Sequence, residues 1–70
     1  MLTAKDVLAA RLHFIRILAD SVKEAGRIPS GHLYAAVMGI ATLEAYQSCV
    51  ETLKRSGLIK EVNHELIWVG

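Results

Sequence analysis

Four side chains of this 70-residue chain are of the types that bind transition metals: His13, His32, His64 and Cys49. Zinc sites are built from closely paired Cys and His ligands. These four fall singly, each in a different part of the chain, so the spacing matches no compact zinc pattern and no metal is expected. Ser30-Gly31-His32 brings a hydroxyl and an imidazole together in sequence. A nucleophilic pair also needs a third group to orient the base and a pocket to hold the substrate. No nucleophile elbow, phosphate loop or metalloprotease helix motif is present. A chain this short is also expected to lack a deep cleft of roughly several hundred Å³. The expectation is therefore no enzyme, no cofactor and no catalytic residue, with Ser30 acting as a helix cap.

A second group has the chemistry of nucleic-acid contact: Thr42, Gln47, Ser48, Lys54, Arg55 and Lys60. Gln pairs with adenine and Arg with guanine in the major groove. Lysines and arginines neutralise phosphates, and that neutralisation supplies most of the affinity. Glu44 and Glu51 lie among these residues and oppose it. The bulk charge gives little help: eight Lys/Arg against seven Asp/Glu leave a net +1. The bland alternative is a solvated helix face on which Glu51 and Arg55 form an i,i+4 pair.

The elements that must position these residues are legible from caps and periodicity. Thr3 and Asp6 form a capping-box-like start, nothing breaks the run to Ala25, and Gly26 suits a C-cap. This predicts a first helix over about residues 4–25. At 100° per residue its apolar arc spans about 200°, about twice what a surface helix needs. Ala10, Phe14 and Ile17 lie at one edge of that arc, opposite Leu8 and Leu12, and are the candidate dimer interface. Arg11 sits inside the arc, where its stem can lie along apolar surface with the charged end in water.

Arg27, Ile28 and Pro29 read as a connector, with Pro29 biasing Ile28 toward extended geometry. A short helix follows over about 31–38, with Leu33, Tyr34, Val37 and Met38 apolar. After a tight turn, Thr42 caps a third helix over about 43–56, which buries Leu43, Tyr46, Cys49, Val50 and Leu53. Two short strands over about 58–69, joined at Asn63-His64, complete a hairpin. Trp68 is expected to pack this hairpin onto the first helix, and Cys49 to be an inert core thiol.

Helix, short helix, turn, helix, hairpin is the order of a winged helix-turn-helix, and residues 1–70 form one α+β domain. The run from Ser30 to Gly39 resembles the first helix and turn of that unit, with Ala35 and Gly39 at its small-residue positions. Leu53-Lys54-Arg55-Ser56-Gly57-Leu58-Ile59 resembles the end of the recognition helix in bacterial winged-helix regulators. Counting from Ala35, the family's apolar positions would fall on Ala45 and Ser48. The apolar residues are Tyr46 and Cys49, so the turn is one residue longer. The stretches Gly31-His32-Leu33-Tyr34-Ala35 and Asn63-His64-Glu65-Leu66-Ile67-Trp68 are similar to those of short bacterial proteins of this fold, which implies no particular activity.

The resemblance implies a DNA-binding, transcription-regulator-like domain, and the wide apolar arc of helix 1 adds the expectation that it dimerises through that helix. Gln47 and Ser48 would lie near base edges, and Lys54, Arg55 and Lys60 on phosphates of double-stranded DNA. The alternative is a protein-interaction module that keeps the winged-helix shape without binding DNA. Its grounds are the low net charge, the two glutamates of helix 3, and 53% hydrophobic residues with a mean hydropathy of +0.35. A continuous basic face beside helix 3 would favour DNA, and scattered bases would favour the alternative. A single cysteine excludes an internal disulfide, no apolar run reaches the roughly 18 residues of a membrane span, and Lys5, Asp6, Arg11 and Arg16 interrupt any signal-peptide core. The expected location is the cytoplasm.

Overall fold

The computed structural model describes residues 3–70, so the first two positions of the expected domain lie outside the described residues. The chain runs α1 (Ala4–Ala25), β1 (Arg27–Pro29), α2 (Ser30–Val37), α3 (Leu43–Arg55), β2 (Ile59–Val62) and β3 (Glu65–Trp68). It is an α+β fold of three helices and one three-stranded antiparallel sheet, ordered β1-β3-β2.

The caps explain where α1 and α3 begin. Thr3 Oγ1 accepts from the Asp6 N–H at 3.2 Å, and the Thr3 N–H donates to Asp6 Oδ2 at 3.0 Å. These two bonds satisfy donors that a helix start leaves without partners. The Thr3 N–H, with a lesser part from its hydroxyl, holds the Asp6 carboxyl below its ordinary range. Thr42 Oγ1 likewise accepts from the Ala45 N–H at 3.1 Å. Gly26 ends α1 at φ 79°, where a Cβ would be strained, and its N–H donates to the Val22 carbonyl.

Two expectations are corrected here. Arg27–Pro29 is a third strand rather than a connector, with Arg27, Ile28 and Pro29 opposite Ile67, Leu66 and Glu65. The extended geometry that Pro29 imposes is what fits it to the sheet edge, where a missing N–H costs nothing. Ser30 is the first residue of α2 rather than its cap; Pro29 occupies the cap position and supplies no side-chain hydrogen bond. The Ser30 hydroxyl instead meets the Tyr46 hydroxyl at 3.2 Å.

The hairpin turns at Asn63 (φ 51°) and His64 (φ 65°), both in the left-handed region that a two-residue loop demands. Alternation along the strands turns Ile28, Ile59, Leu66 and Trp68 toward the helices, and Arg27, Lys60 and Ile67 outward. The core gathers Leu18 and Val22 of α1, Leu33 and Val37 of α2, Tyr46, Cys49, Val50 and Leu53 of α3, and Ile59 and Leu66. Trp68 packs against this core half-buried, with the Lys23 ammonium of α1 5.8 Å from its ring centroid. That is the contact with the first helix expected of it.

The apolar residues are not all used. Met38 and Leu43, expected on inward faces, are exposed, because α2 stops at Val37 and Leu43 opens α3 at its free end. In α1, every residue from 4 to 13 is exposed and burial begins only beyond His13. No helix among the described residues is long and apolar enough to cross a membrane.

Candidate functional site

The six residues expected to touch DNA point in several directions. Thr42 is occupied as the cap of α3. Ser48 faces α1: Arg11 Nη2 donates to Ser48 Oγ at 3.0 Å and to Thr52 Oγ1 at 3.3 Å, and Thr52 Oγ1 donates onward to the Ser48 carbonyl. Arg11 thereby links α1 to α3 through two hydroxyls. Gln47 is exposed on the opposite flank, beside α2.

Lys54 lies between two carboxylates, Glu61 at 2.5 Å and Glu51 at 3.2 Å. Hydrogen bonding to Glu61, with Glu51 adding to it, raises the Lys54 ammonium above its ordinary value. Arg55 stays exposed at the end of α3. Lys60 stands on the outer face of the sheet, in the row of Ile67 and Arg27. On that face the Arg27 guanidinium is held by Glu65, with Nε donating at 2.6 Å. The cations are thus divided between the flank of α3 and the back of the sheet, and two of them are paired.

Between α2, α3 and β2 lies an open cleft of about 430 Å³. Its walls include Ser30, Tyr34, Tyr46, Gln47, Lys54 and Glu61. Tyr34 and Tyr46 meet at 5.2 Å with ring planes inclined by 48°. The Tyr46 hydroxyl donates to the Ser30 carbonyl at 3.0 Å, so α3 is pinned to the start of α2. Burial pushes the Tyr46 hydroxyl above its ordinary value, partly offset by Ser30.

A second groove of about 410 Å³ runs between the exposed half of α1 and the turn into α3. Val7, Ala10, Phe14, Ile40, Ala45 and Cys49 line it, and Arg11 lies at its edge. Apolar side chains predominate in its walls, with Arg11 and Thr42 among the lining. Burial raises the Cys49 thiol above its ordinary value, with Arg11 acting weakly the other way. Of the candidate dimer residues, Ala10 is exposed and Phe14 half-buried in this groove, and Ile17 is half-buried beyond it. Both depressions are open to solvent.

The chemistry-bearing residues remain apart. Among the described residues, no three His, Cys, Asp or Glu side chains come together. His64 contributes its backbone carbonyl, which accepts from the Ser30 N–H at 2.8 Å. The Ser30 hydroxyl is turned to Tyr46 rather than to His32. Two pairings escaped the sequence: that of Glu61 with Lys54 across the Gly57 turn, and that of Ser48 with Arg11, 37 positions away. No family model, curated protein or solved structure matches the chain.

Proposed function

We propose that this chain is a protein-interaction module of winged-helix shape that does not read DNA. The shape is supported by the order helix, strand, helix, helix, hairpin, with the first strand pairing onto the last. Shape alone assigns no function, because folds of this kind host several. The observation that carries the reading is the state of Lys54. The cation best placed beside α3 for a phosphate is held by Glu51 and Glu61.

The flank of α3 then presents Glu44, Glu51 and Glu61 against Lys54 and Arg55, three carboxylates to two cations. Each phosphate contact gains its free energy by releasing counterions from the nucleic acid, and a cation already neutralised releases fewer. Arg27 is paired with Glu65 on the sheet's outer face, and Arg11 with Ser48 and Thr52. Among the described residues, what remains unpaired around α3 is Arg55, with Lys60 on a different surface. Meanwhile the apolar side chains Val7, Leu8, Leu12, Met38, Ile40 and Leu43 stand in solvent. Exposed apolar area of this kind marks contact with another protein.

The test is fluorescence anisotropy of a labelled random-sequence duplex titrated with this protein at low and moderate salt. DNA-binding proteins bind such duplexes at about 10⁻⁴–10⁻⁶ M with a steep salt dependence. The expected result is no rise in anisotropy up to several hundred micromolar protein, roughly the weak end of that range. Saturable binding that weakens with salt overturns the proposal and restores a DNA-binding regulator, with Arg55 and Lys60 as the first phosphate contacts to substitute.

A further inference from the structure

We infer that the cleft between α2, α3 and β2 binds an arginine side chain on an exposed segment of a partner protein, with the Tyr34 ring against the guanidinium and Glu51 and Glu61 as its counter-charges. The inference rests on the interaction role proposed above and names the chemistry of the partner.

The charges of the cleft select a cation. Lys54 Nζ is met by Glu51 at 3.2 Å and by Glu61 at 2.5 Å. Both bonds use Oε1, and among the described residues each Oε2 is left without a partner. Two carboxylates against one ammonium leave one negative charge in excess, so the cleft repels phosphates and other anions. A metal ion does not suit it. Among the described residues no three His, Cys, Asp or Glu side chains converge, and the Lys54 ammonium already takes one oxygen of each carboxylate. The excess charge calls for an organic cation.

The walls select the guanidinium among such cations. Tyr34, Leu43, Tyr46 and Val50 line the cleft beside the charges. Tyr46 is buried, so half-buried Tyr34, tilted against it at 5.2 Å, is the ring that a ligand can meet. A guanidinium is planar and weakly hydrated, stacks on aromatic rings, and presents a fork of donors that fits carboxylate oxygens. A compact ammonium is strongly hydrated and loses more on entering such a wall. The side chains of Glu61 and Glu51 remain 31% and 56% exposed, so a guanidinium can reach their Oε2 atoms from solvent without displacing Lys54. At about 430 Å³ and open to solvent, the cleft takes a side chain while the main chain that carries it stays outside. Leu43, 47% exposed in the same lining, offers an apolar contact to the residue beside the arginine.

NMR of the isotope-labelled full chain, titrated with the blocked peptide acetyl-Gly-Ser-Arg-Ser-Gly-amide and with versions carrying Lys or Glu at the centre, tests this. The arginine peptide is expected to shift the amides of Gln47, Glu51 and Glu61 and the ring signals of Tyr34 saturably, with a Kd of about 1–10 mM, as one exposed ion pair and one cation–ring contact allow. The Lys peptide is expected to bind about threefold more weakly, and the Glu peptide not at all. Glu51→Gln/Glu61→Gln is expected to weaken arginine binding about fivefold or more, and Lys54→Gln, which removes the competing ammonium, to strengthen it about threefold. The second variant decides the matter if the first loses its fold. No movement in the cleft, equal movement with the Glu peptide, movement only around other carboxylates such as Asp20 and Glu24, or binding indifferent to both variants overturns the inference. Salt-sensitive duplex binding by the same samples would remove the interaction-module proposal and leave the arginine site standing. A cleft that takes no arginine in a chain that binds no duplex removes this inference alone, so the two can fail separately.

Discussion

Replacing Tyr46 by Phe isolates the bond that fastens α3 to α2. The ring is 4% exposed and tilts against Tyr34, a contact that Phe preserves. What disappears is the hydroxyl, which donates to the Ser30 carbonyl at 3.0 Å and accepts from the Ser30 hydroxyl at 3.2 Å. Ser30 is only half-buried, so water can reach its freed groups. The net loss is then that of an ordinary hydrogen bond, about 0.5–1.5 kcal/mol. A domain of this size is stable by about 3–10 kcal/mol, so the change is large enough to measure. It corresponds to a fall in Tm of about 4–8 °C per kcal/mol lost. The loss also depends on pH. Burial pushes the Tyr46 hydroxyl above its ordinary value of 10.0, so the folded chain holds that proton more tightly than the unfolded one. Its contribution is complete below the ordinary value and is lost as pH rises through the folded value. Lys54, raised from its ordinary 10.5 by Glu61, adds a loss of the same sign over a similar range, in wild type and variant alike. Thermal melts followed by circular dichroism should show Tyr46→Phe less stable at pH 8, with the gap to wild type narrowing toward pH 11. Equal melting at pH 8, or a gap that is constant to pH 11, would refute the reasoning.

Two further changes test other parts of the structure. His64→Gly should raise the urea midpoint, since the left-handed region costs a side chain about 1–2 kcal/mol and glycine returns only about 0.4–1 of it in chain entropy; a lower midpoint at unchanged slope would show that the imidazole itself holds the turn. Cys49, buried and raised by burial, should react with a thiol reagent at neutral pH much more slowly in the native protein than in urea; equal rates would mean that the groove floor opens to solvent.

The sequence specified the helices well because their ends are chemically marked. Thr3, Thr42 and the glycines at 26 and 57 fix boundaries locally, and the apolar period of α3 identifies Tyr46 and Cys49 as inward without reference to any other element. Strand β1 was not legible for the opposite reason. Three residues carry no period, and their extended geometry becomes a strand only because Ile67, Leu66 and Glu65 of β3 lie alongside. The role of Ser30 was misread on similar grounds. A serine ahead of an apolar run is a cap by local rules, but Tyr46, sixteen residues on, offered its hydroxyl a better partner.

The candidate site shows where a helix projection stops being informative. The 200° apolar arc of α1 reads as one surplus surface, whereas in the fold it is divided along its length rather than around its circumference. Beyond residue 13 the arc meets the core through Leu18 and Val22; before it, the same arc faces solvent and one groove. The projection collapses the axis on which that division lies. Charge is lost in the same way. Lys54 reads as a free cation near the end of α3, and only the Gly57 turn, which swings β2 back along the helix, brings Glu61 to it. Both features need the tertiary path of the chain, and both weaken the case for DNA: the polar face of α3 is neutralised from β2, while its apolar groove is completed from α1. The neutralised Lys54 and the exposed leucines in the first half of α1 are the two observations on which the proposed protein-interaction role rests.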